Sequence, residues 1–392
     1  MSDSLPSPLR VCLSVPARDS AYSARYARMN DLVTDAQAEG RPVDFHVIAA
    51  ADIAPGRPAV LRAVAAWRRI IAAARSADVV HFVAVGWAVM PAFLWVRYGQ
   101  RKPLVAGPNL YFLQFSTRHD HPQGTELIAP LALQALAQDA RRRRPMQTSR
   151  WARRIERVRW RLIERADRIL ALGTFCREVG LVFGADRARI DVLPLTAPEE
   201  PGEKPGPPLA DLTRAPGRPT VLYMGALNQL KGFDQFAALI DRIEPGRVRF
   251  VIAGTGPLKQ AAEQLAQTRS DVDYMGYVDR RTLLAALPAI DLYVQPSIWD
   301  LISTTMLEAL RNGVPVLSSD LLSAQELADQ APDAMRLFPL GHGDAFEAAF
   351  REMIDEIDSY RAAARAAAGR FAMERAWEFI ARLYDGLAGH RR

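Results

Sequence analysis

A lysine six residues beyond a strand-end glycine is the first group in this 392-residue chain placed for chemistry: Gly225-Ala-Leu-Asn-Gln-Leu-Lys231-Gly232. The glycine lets backbone approach a ligand, and the ammonium group is a point charge suited to phosphate. Further on, Val251-Ile-Ala-Gly254-Thr-Gly256-Pro257 ends a strand in a Gly-x-Gly-Pro turn before a helix start with unpaired N–H groups. A third segment, Pro296-Ser-Ile-Trp-Asp300-Leu-Ile-Ser-Thr-Thr-Met-Leu-Glu308, sets a carboxylate in a loop and then Ser303, Thr304 and Thr305 at a helix start. Hydroxyls and free amides at such a start form an anion site. Glu308, one turn further in, can accept hydrogen bonds from ribose hydroxyls beside the phosphates. Read singly, these are a surface lysine, turn glycines and an N-cap serine. Asn312-Gly-Val-Pro-Val316 is architectural, a helix stop before a buried strand.

Other constellations are weaker. Asp271-Val-Asp273 matches the short D-x-D metal pattern but sits where a strand begins. His119-Asp120-His121 follows an aromatic run and has no further ligand at metal spacing, so it reads as a loop facing an acceptor. No G-x-S-x-G nucleophile and no hydrolase-type carboxylate pair can be nominated. Neither a metal site nor a resident cofactor is therefore expected.

The elements that must position these groups alternate. Strands are predicted at Arg10–Val15, Val43–Ala50, Val79–Val85, Leu104–Ala106, Ile169–Leu172 and Asp191–Leu195, with helical spacing between them, as in Val60–Arg75. The apolar run from Val79 to Val96 approaches the length of a membrane span, but Gly86 and Pro91 interrupt it; a buried strand and a short helix are expected. Pro194 to Pro219 carries eight prolines without periodicity, the composition of a linker. Alternation then restarts, with strands at Thr220–Met224, Val248–Ile252, Val272–Met275, Leu292–Val294 and Val314–Leu317. Helices are predicted at Phe233–Arg242, Leu258–Gln267, Arg281–Leu287, Thr304–Arg311 and Ala345–Glu356, and a last one at Met373–Leu387. The expected organisation is an α/β domain over 1–195, a linker over 196–218, a second α/β domain over 219–372 and a terminal helix over 373–392. Two parallel sheets so joined face each other across a cleft.

Composition excludes disordered, collagenous and solenoid classes, and Cys12 and Cys176 alone form neither a disulfide framework nor a four-ligand zinc site. No secretory signal is read at the start, and a cytoplasmic location is expected. Residues 1–195 hold 29 Lys+Arg against 17 Asp+Glu, whereas the remainder holds 21 against 27. Twelve arginines fall within Arg141–Arg168. Trp151, Ile155, Val158 and Leu162 form an apolar stripe expected to pack on the first sheet, with a basic stripe beside it. Two readings of Arg141–Arg165 stand: solvated surface, or contact with anionic lipid headgroups at the inner face of the cell membrane. No nucleic-acid-reading module accompanies the charge, so nucleic acid is not expected as a partner.

Segments Val221–Gly232, Val251–Leu258, Val272–Val278 and Ala289–Asp320, in this order and spacing, resemble the C-terminal domain of family 4 retaining glycosyltransferases, which have two Rossmann-like domains in the GT-B fold. The likeness is specific from Pro219 to Asp344 and looser before, where Ala77-Asp78-Val-Val-His81 and Ala166-Asp167-Arg-Ile-Leu-Ala fit common patterns. The last helix is similar to one that crosses back to the first domain. The resemblance implies that Lys231 contacts the diphosphate of a UDP- or GDP-linked sugar, and that Gly225, Gly254 and Gly256 line the donor. It places Asp300 and Glu308 in the E-x7-E signature, the first by the donor sugar and the second on the ribose. Backbone of Leu301, Ile302, Ser303, Thr304 and Thr305 then caps the phosphates, and Gly276, Tyr277 and Val278 border the base.

Departures from the pattern are local. Ala226 stands where an arginine is common, and Asp300 replaces the first glutamate. Leu301-Ile302-Ser303 replaces a glycine-rich loop. Asn109 takes the place of a frequent histidine with a catalytic role, and the loop holding Arg18 lacks a glycine pair. Arg18, His119 and His121 are the acceptor-side candidates. The implied activity is metal-independent retaining transfer from a nucleotide-diphosphate sugar to a saccharide or lipid-linked acceptor, in bacterial polysaccharide or glycoconjugate assembly. A sugar-nucleotide binding protein without full turnover, and an epimerase or phosphorylase on the same fold, are the alternatives.

Overall fold

The computed structural model describes residues 8–15, 42–49, 53, 56, 58–108, 150–182, 184–197, 217–298, 300 and 303–389. The first sheet contains β1 (Leu9–Val15), β2 (Val43–Ala49), β3 (Val79–Phe82), β4 (Leu104–Ala106), β5 (Arg168–Ala171) and β6 (Ile190–Val192). All pairs are parallel, in the order β2-β1-β3-β4-β5-β6. Its helices are α1 (Ala59–Ser76), α2 (Met90–Leu94, running into a π-helical turn at Trp95–Gly99), α3 (Arg150–Ile163) and α4 (Thr174–Val182). On α1, Ala66, Ile70 and Ala74 are buried at four-residue spacing, the face that the periodicity selects.

The second sheet contains β7 (Thr220–Met224), β8 (Arg249–Ala253), β9 (Val272–Gly276), β10 (Leu292–Gln295), β11 (Val316–Ser319) and β12 (Met335–Phe338). Its helices are α5 (Phe233–Arg242), α6 (Lys259–Thr268), α7 (Arg280–Ala286), α8 (Thr304–Arg311), α9 (Leu322–Gln330), α10 (Gly343–Asp355) and α11 (Ile357–Ala367), followed by α12 (Met373–Gly389). The order β12-β11-β10-β7-β8-β9 is a doubly wound Rossmann-like arrangement. Both faces are covered: Val221 and Tyr223 of β7 enter one core, Leu222 and Met224 the other.

Three aspartates placed just before a strand bind neighbouring strands together. Asp78 accepts from Arg10 N at 2.9 Å, Asp167 from Leu104 N at 2.9 Å, and Asp291 from Thr220 N at 2.8 Å. The Ala-Asp pairs noted in the sequence thus hold an amide at the start of a neighbouring strand, a donor that needs a partner where the ladder begins.

Most strands and helices lie within two residues of their predicted limits, with β3 and β6 ending three residues early. β12, α4, α9 and α11 have no counterpart among the predicted elements. β12 is a four-residue edge strand with Arg336 exposed, so its apolar run is broken. Val79–Val96 resolves into the fully buried β3, the short α2 and the start of the π-helical turn. Among the described residues no helix is long and apolar enough to cross a membrane.

The apolar stripe expected to pack on the first sheet does so at Leu162, which packs partly on its core, but not at Ile155 and Val158; the Trp151 side chain lies outside the described residues. On α3, Ile155 and Val158 are 39% and 48% exposed, while Arg159, Trp160 and Ile163 are buried. Arg159 Nη1 donates to Val85 O at 3.0 Å, which lets the arginine go inward. The outward face therefore mixes Ile155 and Val158 with the exposed Arg154, Arg157, Arg161 and Arg165.

Residues 198–216 of the proline-rich stretch lie outside the described residues. At its start, Ala197 N donates to Phe371 O at 2.9 Å, so the outgoing chain runs beside the segment that leads into α12. Met373, Ala376, Trp377, Ile380 and Tyr384 of α12 then pack on the first sheet's core. There Tyr384 OH lies 2.6 Å from His81 Nδ1, and His81 Nε2 lies 2.6 Å from Gly107 O. Burial pushes the His81 imidazole down to about 4.

Candidate active site

Strand order reverses between β7 and β10, and the carboxyl ends of strands at such a point are where doubly wound sheets take ligands. The loops leaving these two strands are fastened to each other. Ile298 N donates to Leu230 O at 2.9 Å, and Gln235 Nε2 to Pro296 O at 3.4 Å. Gly232 opens α5 with φ +67°, and a Cβ there would fall 1.7 Å from Pro296 O. Only glycine fits both the backbone angle and that approach. Gly254, at φ +149°, lies equally close to Gly225: an added Cβ would reach 1.8 Å from its carbonyl oxygen. A Cβ on Gly256 would come within 2.6 Å of Leu227 O. The Gly-x-Gly turn accordingly has a packing reason of its own, the closeness of the β7 and β8 loops.

Lys231 is aimed by its own turn. Its amide donates to Asn228 Oδ1 at 2.9 Å, and its carbonyl accepts from Tyr223 OH at 3.3 Å. The ammonium group meets Asp300 Oδ2 at 2.6 Å, with the two side chains 35% and 11% exposed. Gln295, the last residue of β10, donates from Nε2 to the same Oδ2 at 2.8 Å and to Ser297 Oγ at 3.0 Å. Its Oε1 faces Ser303 Oγ at 2.5 Å, Tyr293 OH at 2.6 Å and Thr305 Oγ1 at 3.0 Å. Burial holds the Tyr293 phenol far above its ordinary range, so it keeps its proton and donates.

Ser303 Oγ accepts from Met306 N at 3.2 Å and caps α8, as the sequence indicates. Three serines from β11 and α9 hold the backbone of the β10 loop: Ser318 Oγ donates to Gln295 O at 3.0 Å, Ser319 Oγ to Ser297 O, and Ser323 Oγ to Asp300 O at 3.0 Å. Glu308 is buried inside α8, and Arg280 Nε donates to its Oε1 at 2.7 Å. Tyr277 projects outward at 78% exposure, whereas Val278 packs partly on the second core.

The structure therefore links Lys231, Asp300, Ser303 and Thr305 through one amide and sets Glu308 in the same helix. Asn109, Arg18, His119, His121, Leu301, Ile302 and Arg141–Arg144 lie outside the described residues. Sequence reasoning misses Gln295, Tyr293 and Arg280. A signal for Gln295 exists, an amide closing the otherwise apolar strand Leu-Tyr-Val-Gln. The D-x-D carboxylates are both engaged by arginines, Asp271 with Arg269 at 2.7 Å and Asp273 with Arg249 at 2.6 Å. Among the described residues no three acidic, histidine or cysteine side chains gather as a metal site.

Two parallel six-stranded sheets, with a hydroxyl-capped helix start at the switch point of the second, define a GT-B protein. The match to solved structures agrees on the fold. Anabaena HepE in complex with UDP and glucose superposes with a TM-score of 0.60 at 14% identity, covering 96% of this chain and 100% of that one. Sucrose-phosphate synthase from Thermosynechococcus elongatus gives 0.63 at 16% identity, covering 97% and 100%. Residues 218–356 match the family described as Glycosyl transferases group 1. Among curated relatives, D-inositol 3-phosphate glycosyltransferase of Nocardia farcinica is 31% identical over 41% of this chain and 39% of its own length. The GDP-mannose-dependent alpha-mannosyltransferase of Mycolicibacterium smegmatis is 28% identical over 44% of this chain and 43% of its own. The chain thus spans less than half the length of these two relatives.

Proposed function

We propose that this chain is a metal-independent, retaining glycosyltransferase that moves a sugar from a nucleotide-diphosphate sugar to a hydroxyl acceptor. The observation carrying this reading is the hydrogen-bonded chain from the Lys231 ammonium through Asp300 and Gln295 to the capped start of α8. Breaking the sugar–phosphate bond leaves its electron pair on the diphosphate and positive charge at the anomeric carbon. In this reading Lys231 and the amides at the start of α8 stabilise that growing negative charge electrostatically. The acceptor oxygen bonds the anomeric carbon on the face the diphosphate leaves, and its proton departs with the diphosphate. In this reading Glu308 holds the ribose, Tyr277 and Val278 border the base, and Leu301–Thr305 cap the phosphates. Gly225, Gly254 and Gly256 keep the loops low enough for the donor. Relatives named for inositol phosphate and mannosyl transfer support the substrate class.

In this reading Asn109 joins Lys231 and Asp300 as a catalytic residue, and Arg18, His119 and His121 belong to the acceptor side, in a first domain ending near residue 195. The outward face of α3, with Ile155 and Val158 among arginines, supports peripheral contact with anionic membrane and a lipid-linked acceptor at its cytoplasmic face, in bacterial polysaccharide or glycoconjugate assembly. Calorimetry with UDP and GDP, together with turnover of UDP- and GDP-linked sugars, tests the function. Tight nucleotide binding without turnover on any acceptor points to a binding protein, a reading favoured by Ala226 at the usual arginine position. Conversion without a separate hydroxyl acceptor points to an epimerase or phosphorylase.

A further inference from the structure

We infer that Gln295 is a positioning residue that locks the Asp300–Lys231 pair and the start of α8 into one unit, so that the sugar-side carboxylate and the phosphate-side cap keep a fixed separation. The inference rests on the donor reading above and names a residue that reading assigns no role at the donor. The Gln295 side chain is buried, and both ends of its amide are engaged. On one end Nε2 donates to Asp300 Oδ2 at 2.8 Å and to Ser297 Oγ at 3.0 Å. On the other, Oε1 faces the cap hydroxyl of Ser303 at 2.5 Å, with Tyr293 and Thr305 beside it. Charge fixes which way the amide points, because a flipped carboxamide would turn its oxygen on the Asp300 carboxylate. A carbonyl oxygen has two lone pairs for three hydroxyls, so one hydroxyl donates to its neighbour; Tyr293 OH and Thr305 Oγ1 are 2.8 Å apart.

The amide also explains how Asp300 can release Lys231. Oδ2 receives two donors, the ammonium at 2.6 Å and the amide at 2.8 Å. When a diphosphate draws the ammonium away, the amide bond and the Ser323 bond to the Asp300 carbonyl still hold the residue in place. Among the described residues Asp300 Oδ1 takes no hydrogen bond, both donors meeting Oδ2.

Two variants separate positioning from simple support. In Gln295→Leu, affinity for UDP and GDP stays within about threefold of the parent, because Lys231 and the amides of α8 remain, while turnover of the sugar nucleotide falls about 100-fold. Gln295→Glu keeps the shape but sets two carboxyl groups against each other, and such a pair shares a proton. While the introduced carboxyl is protonated, its O–H replaces the amide donor. Activity and thermal stability of Gln295→Glu therefore both fall as pH rises through that ionisation, and the parent shows no such step. Parental turnover by Gln295→Leu, or identical pH profiles of activity and melting for Gln295→Glu and parent, overturns the inference. If the parent binds neither UDP nor GDP, the transferase reading fails instead, and the pH dependence of melting alone then decides whether Gln295 holds the unit together.

Discussion

Replacing Lys231 by alanine removes the positive charge that sits against Asp300 at the switch point. An ammonium about 3 Å from a full unit of negative charge contributes about 5 kcal/mol at an effective dielectric near 20. If about half a charge develops on the diphosphate as the sugar leaves, the difference between ground and transition states is about 2–3 kcal/mol, or about 100-fold in rate. Stability responds far less. Lys231 is one-third exposed and screened by solvent, and Asp300 keeps its bond from Gln295, so the loss is about 1 kcal/mol and a melting shift of about 2 °C. The assay is release of UDP or GDP from the sugar nucleotide that the parent turns over, with melting measured on the same preparations. A variant that releases nucleotide at the parental rate refutes the electrostatic argument, and one that fails to fold is recognised by its melting curve.

Three further outcomes follow from named contacts. Gly232→Ala drives a Cβ onto Pro296 O at a positive φ, and chemical denaturation should show a loss of about 2–4 kcal/mol. The His81 imidazole, held down to about 4 by burial against an ordinary 6.5, stays neutral in the fold while the unfolded chain takes up its proton first. Its contribution is complete above pH 6.5 and is lost as pH falls toward 4; His81→Gln, which can keep bonds to Tyr384 and Gly107, should melt with a flatter dependence across that window. Changing Arg154, Arg157 and Arg161 together to Gln should abolish cosedimentation with phosphatidylglycerol vesicles at low salt, and unchanged binding removes α3 from the membrane reading.

Much of the second sheet is legible in the sequence because its strands are buried on both faces and read as unbroken apolar runs; Thr220–Met224 and Phe233–Arg242 coincide with their predicted limits. In the first sheet β3 and β4 are legible for the same reason. β12 is not, because the exposed Arg336 breaks its four-residue apolar run. The face of α3 reads wrongly because a helical pattern records which residues are apolar, not which arginine finds a carbonyl inside. Arg159 goes inward against Val85 O, while Ile155 and Val158 are exposed.

From residue order alone come the alternation of elements, the capping serine of α8 and the presence of a lysine, two acids and a run of hydroxyls near strand ends. Local chemistry settles those, since caps and turns are made within a few residues. It took the folded chain to show that Lys231 and Asp300, 69 positions apart, share an ion pair, that Gln295 joins them to the helix start, and that Arg280 meets Glu308. Strand order set those contacts: β10 lies beside β7 although two strands intervene in the chain, and no spacing along a sequence records which strands become neighbours.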